Sequence, residues 1–507
     1  MTKIFGFNQF PVAVIGAAAI ALIQPQAATA LTAYQVNQLA RDTTVLIDGL
    51  NPGSGFIISR AGNTYTVLTA KHVVATEDEY TIITPDGASY PVNYRTVRKL
   101  SGVDLALVTF ISNRNYAIAT LANYQYDARF RNVFTSGWIK ERQTRSRTHR
   151  FTAGLLANQE LEIPLTQELS RDGYTLFYSN ITGVGMSGGP ILDTDGRVIG
   201  IHGQSKAEEI PNARQGGTTR VNRGFSSGIP IATFLKLLPA SGFNLALNIQ
   251  NAPPTRATAQ QVDSIRPFLD PTPLSGNADA VDWTNQGNQL YRVGRLQEAL
   301  TALNQAVQLK PDFYPAWYER GNVLFAMKQP LEALSSYDRV IQLKPDFYDV
   351  WRDRGVLLVT LNDYMAALGS FDRATRVKPD DYVLWYMRGN LLNRNLQNYP
   401  QAIASYNRSL QINPNFADAL TGRGKALYEL RRYDEALADL SRAIQLNPNL
   451  TVTWILKGRT LKTMQRYPEA IATIQQALRL QPNNPELRQM LAAMQQNGGR
   501  WENKENR

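Results

Sequence analysis

The chain of 507 residues contains no cysteine and only three histidines, His72, His149 and His202. The absence of cysteine excludes a cysteine nucleophile, a thiolate metal site and any disulfide framework. A zinc site of ordinary ligands would need most of the three histidines, and their spacings match no common zinc motif. We therefore expect neither a metal nor another cofactor.

Charged residues are also scarce, at 19% of the chain, and the excess of positive charge is not concentrated in any one segment. The formal net charge of +11 is spread along the whole chain, which gives a general basic character but predicts no nucleic-acid interface. Hydrophobic residues make up 43%, enough to bury real cores. The length indicates two to four domains.

The first thirty residues are typical of a secretory signal peptide. Lys3 provides a basic start, residues 11–23 are an apolar stretch, and Ala28-Thr29-Ala30 is a small-residue cleavage site. The alternative is an uncleaved membrane anchor, but a spanning helix needs about 20 apolar residues. We expect cleavage after Ala30, no stable membrane span afterwards, and a bacterial protein that is periplasmic or secreted.

Residues 31–245 have the pattern of a β-rich domain. Short runs rich in Val, Ile, Thr, Tyr and Phe occur at 43–47, 55–59, 64–69 and 105–110, with turn-forming residues between them. Many short strands with tight turns favour antiparallel barrels or a sandwich. Residues 246–279 are rich in proline, serine and threonine, and we predict a linker there, with room for a helical patch within it.

A repeat occupies residues 280–484. Prolines recur at intervals of 34 or 35 residues, and glycines, alanines and tryptophans recur in register with them; the prolines are Pro311, Pro345, Pro379, Pro414, Pro448 and Pro482. The pattern resembles the tetratricopeptide repeat, a pair of helices per 34 residues. It predicts six repeats in an all-α solenoid, followed by a capping helix and polar tail at 485–507.

Three segments of the β-rich part carry residues whose chemistry fits together. The segment TAKHVV contains His72, GVDLAL contains Asp104, and GMSGGP contains Ser187. A serine hydroxyl is a weak nucleophile at neutral pH, so it needs a base such as an imidazole oriented by a carboxylate. Glycines around Ser187 allow the N–H groups of Gly185 and Ser187 to point at one developing oxyanion. Each segment alone is also compatible with a turn, a strand edge or a satisfied core histidine.

Together and in this order, the segments resemble those of the trypsin-like (chymotrypsin-fold) serine peptidases, over roughly residues 43–239. The resemblance implies an all-β double barrel with a cleft site, His72, Asp104 and Ser187 as catalytic residues, and Gly185 and Ser187 as the oxyanion hole. The expected reaction is peptide-bond hydrolysis through an acyl-enzyme on Ser187. Met186 stands where many members have Asp or Asn, so we expect no activation by a freed N-terminus.

Two residues near Ser187 in the sequence resemble the pocket of bacterial glutamyl endopeptidases. Thr182 precedes the serine by five positions, and His202 follows it by fifteen, beside Gly203. The resemblance implies that Thr182, His202 and Gly203 bind substrate and that cleavage follows Glu or Asp, because an imidazole and a hydroxyl can receive a carboxylate. The alternative is that His202 packs on the pocket wall and Thr182 caps a turn.

Repeat arrays of this type present a concave face to extended peptides or helices. We therefore expect a protein partner in the groove, in addition to protein or peptide substrates. In the family's pattern the residue after the repeat glycine faces this groove, and Asn288, Asn322 and Asn390 occupy such positions. They would hydrogen-bond a peptide backbone; the alternative is that they are simply solvated.

The basic stretch 140–150, which carries His149, is expected to be a solvated surface loop between strands; the alternative is a loop that steers anions or substrate. For the whole chain, the rival to an exported peptidase is a non-catalytic scaffold with a vestigial peptidase domain. The presence of His72, Asp104 and Ser187 argues against that rival.

Overall fold

The computed structural model describes residues 31–124, 132–140, 147–156, 172–180, 182–211, 218–255, 257–269, 274 and 276–505. The predicted signal segment, residues 1–30, lies outside these ranges. Within the ranges, no helix combines the length and the apolar character that crossing a membrane requires. The chain forms a β-rich N-terminal domain followed by a helical array.

The N-terminal domain begins with helix α1 (Ala33–Thr43) and an antiparallel sheet. The strands of this sheet are β1 (Thr44–Asp48), β2 (Gly53–Ala61), β3 (Thr64–Ala70), β4 (Thr81–Ile83), β5 (Ser89–Pro91), β6 (Arg98–Lys99) and β7 (Leu105–Ile111). Their spatial order is β5-β4-β1-β2-β3-β7-β6. β-Branched and aromatic residues line a core in which Tyr65 stacks on Phe110 at 5.1 Å between ring centres.

A second sheet follows. Its strands are β8 (Thr120–Ala122), β9 (Asn132–Lys140), β10 (Arg147–Leu155), β11 (Leu176–Tyr178), β12 (Pro190–Leu192), β13 (Val198–Pro211), β14 (Thr218–Pro230) and β15 (Asn248–Gln250). The order is β10-β9-β12-β13-β14-β11, with β8 beside β13 and β15 beside β8. The two sheets share a core in which Phe56 and Leu68 of the first meet Phe134 and Ile201 of the second. This packing brings the ends of strands from both sheets to one cleft.

The structure differs from the predicted loop at 140–150 in residues 147–150, which belong to β10. Residues 141–146 lie outside the described ranges. His149 pairs with Trp138 across β9 and β10, and its Nε2 lies 2.8 Å from the Ser136 hydroxyl oxygen. The basic residues suggested a solvated loop, but pairing of β10 with β9 largely buries the His149 imidazole.

Residues 246–279, predicted as a linker with room for a helical patch, contain a short strand and a helix. Helix α2 (Ile231–Leu237) closes the barrel region, β15 extends the second sheet, and α3 (Ala259–Leu269) packs against α1 and β10. Ile265 is only 3% exposed and belongs to the core shared by the two sheets. Ile265, Phe268 and Leu269 recur at helical spacing, which is the apolar pattern of this helical patch.

The C-terminal part consists of six antiparallel helix pairs and a closing helix, α16 (Pro485–Glu505). The paired helices are α4 (Ala280–Arg292), α5 (Leu296–Leu309), α6 (Tyr314–Ala326), α7 (Pro330–Leu343), α8 (Tyr348–Thr360), α9 (Tyr364–Val377), α10 (Tyr382–Arg394), α11 (Tyr399–Ile412), α12 (Ala417–Glu429), α13 (Tyr433–Leu446), α14 (Thr451–Thr463) and α15 (Tyr467–Leu480).

The repeated residues have repeated contacts. A Cβ at Gly321 would lie 2.5 Å from the ring of Tyr337 in the paired helix, so only glycine permits this approach. The Trp317 indole N–H donates to the carbonyl of Pro311 at 3.0 Å, and Trp351 does the same to Pro345 at 2.9 Å. The fixed spacing of proline and tryptophan therefore reflects a hydrogen bond that recurs between repeats.

Docking of α3 on the β-rich domain predicts the effect of two substitutions on one helix. Ile265→Ala should lower the free energy of unfolding of that domain by about 2–5 kcal/mol, because it leaves a cavity in the core. Val262→Ala, at a side chain that is 49% exposed, should change it by less than about 0.5 kcal/mol. Urea unfolding of the full chain measures both. Equal effects would mean that α3 is only loosely attached.

Candidate active site

His72 and Asp104 meet because β3 and β7 are neighbours. His72 lies in a 3-10 turn, Lys71–Val74, directly after β3, and Asp104 directly precedes β7. The strands pair Ala70 with Leu105, which places the two side chains at the same end of the sheet. Asp104 Oδ2 lies 2.6 Å from His72 Nδ1, and Asp104 Oδ1 accepts the backbone N–H of His72 at 2.8 Å. The carboxylate therefore fixes both the turn and the ring.

Asp104 has a third partner, the hydroxyl of Tyr174. Burial alone would raise the pKa of Asp104, but the hydrogen bond and charge of His72 and the hydrogen bond from Tyr174 together lower it below its ordinary value. Burial, reinforced by Asp104, raises the pKa of Tyr174 well above the ordinary value for a phenol. A neutral tyrosine thus donates to an ionised carboxylate. Sequence analysis missed Tyr174, which lies in no motif.

Ser187 lies in the turn between β11 and β12, and strands of both sheets hold this turn. Ser54 of β2 donates its N–H to the Ser187 carbonyl at 2.7 Å, and Gly188 donates to the His202 carbonyl at 2.7 Å. Gly188 has a φ of +86°, and a Cβ there would overlap Ser54 O and Thr69 Oγ1. The Ser187 hydroxyl donates to the carbonyl of Gly203 at 2.8 Å. The half-buried nucleophile candidate is therefore oriented toward β13 rather than hydrogen-bonded to His72.

The backbone before Ser187 has the conformation that an anion site needs. Gly185 has a φ of +104°, a region that favours glycine, and its carbonyl accepts the Ser54 hydroxyl at 2.8 Å. Within the described ranges, the N–H groups of Gly185 and Ser187 donate to no protein acceptor. Met186 between them is fully buried. Two N–H groups in one tight turn are thus available to a developing oxyanion.

The three histidines have different environments. The side chain of His72 is 43% exposed beside the cleft. Burial, assisted by the charge of His72, lowers the pKa of His202 to about 3. Burial and the charge of Arg41 lower the pKa of His149 to about 4. Of the three, His72 alone is accessible and paired with a carboxylate, which are the properties that a general base requires.

The predicted pocket residues lie on β13 and close to it. His202 is 2% exposed, and its Nδ1 is 2.5 Å from the Tyr178 hydroxyl. Thr182 Oγ1 lies 2.5 Å from Ser205 Oγ and 2.7 Å from Ser226 Oγ. Sequence analysis missed Ser205 and Ser226, although Ser205 follows His202 by three residues in the same strand. Three hydroxyls and an imidazole thus share this part of the second sheet.

Gly203 connects the pocket to the candidate triad. Its carbonyl accepts the Ser187 hydroxyl, and a Cβ on it would overlap the ring of Tyr174. The missing side chain is therefore what allows Tyr174 to reach Asp104.

The three asparagines predicted to face a partner have hydrogen-bond partners within the chain. Asn322 donates to Glu319 at 3.0 Å and accepts the Tyr337 hydroxyl at 2.8 Å, and Asn390 accepts the Tyr406 hydroxyl at 2.8 Å. Asn288 is fully buried and donates to the carbonyl of Asn222 in β14 at 2.7 Å. For Asn288 the structure corrects the prediction, because the backbone it binds is the chain's own.

Comparison with known families agrees with this architecture. Residues 53–201 match the trypsin-like peptidase domain. Tetratricopeptide repeat models match residues 287–328, 314–347, 394–430, 417–450 and 451–494. The chain is therefore a fusion of a trypsin-like peptidase domain with tetratricopeptide repeats. The predicted fold class, a chymotrypsin-like β domain followed by a helical solenoid, is confirmed.

Solved structures of other proteins resemble part of the chain. YrrB, described as a tetratricopeptide protein with an unusual peptide-binding site, is 22% identical; the match covers 39% of this chain and 99% of YrrB, with a TM-score of 0.34. PilF of Pseudomonas aeruginosa is 19% identical, with coverage of 42% and 97% and a TM-score of 0.37. MamA of Desulfovibrio magneticus RS-1 is 17% identical, with coverage of 35% and 99% and a TM-score of 0.32. No curated protein matches the chain.

The hydrogen bond from Tyr174 predicts a pH-dependent effect of Tyr174→Phe. At pH 7 the variant should unfold with a free energy lower by about 1.5–3 kcal/mol, because the buried carboxylate loses a donor. The pKa of Asp104 is lowered from 3.8 in the fold, so this stabilisation exists above 3.8 and disappears as the pH falls through the folded value. Urea unfolding at pH 7 and pH 3 measures both. A difference that stays constant would show that the hydroxyl does not act on the carboxylate.

Proposed function

We propose that the protein is a serine endopeptidase that hydrolyses peptide bonds through an acyl-enzyme on Ser187. The main support is the 2.6 Å contact between Asp104 Oδ2 and His72 Nδ1, beside a turn that presents Ser187 and two N–H groups. Asp104 would hold the imidazole with Nε2 free to act as base, and it would stabilise the imidazolium that forms.

In the proposed reaction, the Ser187 hydroxyl leaves the Gly203 carbonyl and turns to His72. His72 Nε2 takes the hydroxyl proton as Oγ attacks the substrate carbonyl carbon, and the N–H groups of Gly185 and Ser187 receive the oxyanion. The imidazolium then protonates the leaving amine as the C–N bond breaks. Water, activated by the same imidazole, hydrolyses the ester and restores the serine. Catalytic hydrogen bonds are often formed only when substrate binds, so a resting contact with Gly203 is compatible with this sequence.

A fluorophosphonate probe tests the nucleophile directly. We expect covalent labelling of the folded full chain and loss of labelling in Ser187→Ala, with an unchanged result in Ser335→Ala, a substitution in the helical array. His72→Ala should slow labelling by at least about a thousandfold, since the base is lost. Mass spectrometry of the modified peptide identifies the labelled residue. Labelling at another serine would contradict the assignment.

A non-catalytic scaffold is the second candidate, and one observation favours it. The Ser187 hydroxyl donates to the Gly203 carbonyl and not to His72, which is the arrangement expected of an inactive site. The scaffold requires that wild type and Ser187→Ala behave alike toward the probe and toward peptides. Labelling that depends on Ser187 removes this candidate.

We further propose that the primary pocket accepts Glu or Asp before the scissile bond. Thr182, Ser205 and Ser226 supply hydroxyl donors, and His202 supplies an imidazole whose Nδ1 is already in contact with Tyr178. A carboxylate that enters beside His202 would favour the imidazolium and raise its pKa from about 3. Binding an acidic side chain would then take up a proton.

This proton uptake predicts a pH-dependent specificity. The ratio of kcat/KM for a peptide with Glu to the same peptide with Gln should rise as pH falls from 8 to 6, by up to about tenfold per unit. The two substrates use the same nucleophile and base, so their ratio isolates the pocket. In His202→Gln the ratio should no longer depend on pH. A wild-type ratio near one, or one independent of pH, would reject the acidic pocket.

We also propose that the protein is exported and that its repeats bind protein partners or substrates. The signal-like start of the sequence supports export, and the tetratricopeptide repeats support protein–protein interaction.

A further inference from the structure

The β13–β14 hairpin spans from the candidate pocket to the repeats. His202, Gly203 and Ser205 lie in the first half of β13, and Ser226 pairs with Ser205 across the hairpin. The outer half of the hairpin, residues 221–225 of β14, contacts α4 of the first repeat. One pair of strands therefore carries the pocket wall at one end and a contact with the array at the other.

Two asparagines of α4 bind the backbone of one hairpin residue. Asn285 Oδ1 accepts the N–H of Asn222 at 2.7 Å, and Asn288 Nδ2 donates to the carbonyl of Asn222 at 2.7 Å. Asn288 is fully buried by this contact. Both backbone hydrogen-bonding groups of Asn222 are thus satisfied by the array, in the way that an extended peptide ligand would be held.

A bulge in β14 allows the hairpin to approach α4 closely. Pairing passes from Lys206 with Phe225 to Ala207 with Asn222, so Arg223 and Gly224 are extra residues. Gly224 has a φ of +74°, and a Cβ there would lie 2.8 Å from the Asn288 carbonyl oxygen and 2.9 Å from Arg292 Cγ. Only glycine permits the close approach of the two backbones.

Side chains of α4 and α8, in the first and third repeats, contact the bulge. Arg223 Nη1 lies 3.5 Å from Asp349 Oδ2 on α8, and Arg292 Nε donates to the Arg223 carbonyl at 3.3 Å. Arg292 Nη2 also lies 3.9 Å from Glu319 Oε2 on α6. Burial raises the pKa of Glu319, and the charges of Arg292 and Arg223 oppose that rise. The contact thus extends over the first three repeats.

The last hairpin residue shown in contact with the array, Phe225, is adjacent in the chain to the pocket residue Ser226. The Arg292 guanidinium lies 3.8 Å from the centre of the Phe225 ring, and Val221 packs with Ala280 and Phe313 of the array. Phe225 is directly followed by Ser226, whose hydroxyl contacts Thr182. A shift of the hairpin against α4 would therefore move the pocket hydroxyls.

We propose that the first repeat positions the primary pocket through this hairpin, so that Asn285, Asn288 and Arg292 are positioning residues for peptide cleavage. This inference rests on the proposed peptidase function. It makes the array a part of the catalytic unit rather than a tethered recruiting module. It also leaves the later repeats, from α10 onward, as the surface for a separate protein.

The test uses the full chain with Asn285→Ala and Asn288→Ala combined, and short peptides that carry Glu before the scissile bond. KM should rise roughly tenfold, since a small misplacement of binding groups is costly. The labelling rate with a small fluorophosphonate, which needs the triad but not the pocket, should stay within about twofold. The matched control is Asn407→Ala, which removes an asparagine bonded to Arg423 in a later repeat. Unchanged KM in the double variant would overturn the proposal.

A second measurement does not depend on activity. Amide hydrogen exchange in residues 200–206 and 225–229 should become faster in the double variant and in Arg223→Ala, and remain unchanged in Asn407→Ala. Arg223→Ala tests the contact with the α4 helix left intact, in case the double variant folds poorly. If wild type cleaves no peptide and resists labelling, the peptidase function fails, but exchange still decides the coupling. Equal exchange in all variants would overturn it.

Discussion

Pairing of β3 with β7 is the interaction on which the candidate site depends. It places Ala70 opposite Leu105, so the turn with His72 and the turn with Asp104 leave the sheet at one end. The Asp104 carboxylate then closes the gap through two hydrogen bonds to one residue. The Ser187 turn is pinned to the neighbouring strand β2 through Ser54, so its position depends on the same sheet. A register change in the first sheet would separate all three groups.

The sequence predicts those features of the fold and the site that depend on contacts between residues close together in the chain. The glycines next to Ser187 are adjacent to it in the chain, and Gly185 and Gly188 have the positive φ values that their turn requires. The repeats were predictable because four tryptophans at equivalent positions each donate to the carbonyl of the proline six residues before them. Tyr174 could not be predicted in this way, because it contacts Asp104 across 70 positions of the sequence and lies in no motif. Ser205 and Ser226 were hidden for the same reason.

Two short structural elements lie inside sequence of polar or proline-rich composition. Residues 246–279 contain many prolines, yet a three-residue apolar stripe on α3 is enough to bury Ile265 in the core. The basic stretch before His149 resembled a loop, although its end forms a strand. Asn288 had the residue type expected of a groove that binds peptides, and it does hold a backbone. Sequence alone could not tell that this backbone is Asn222, because the contact is set by the long hairpin.

The contact of the β13–β14 hairpin with the first three repeats affects how other peptides could bind there. The hairpin is covalently attached to the repeats that hold it, so it faces them at an effective concentration of roughly millimolar order or above. An outside peptide of similar affinity, present at micromolar concentration, would displace it only rarely. The early repeats thus discriminate against weak ligands by tethering, without any added contact. Only a partner that gains further contacts on the later repeats would overcome this advantage.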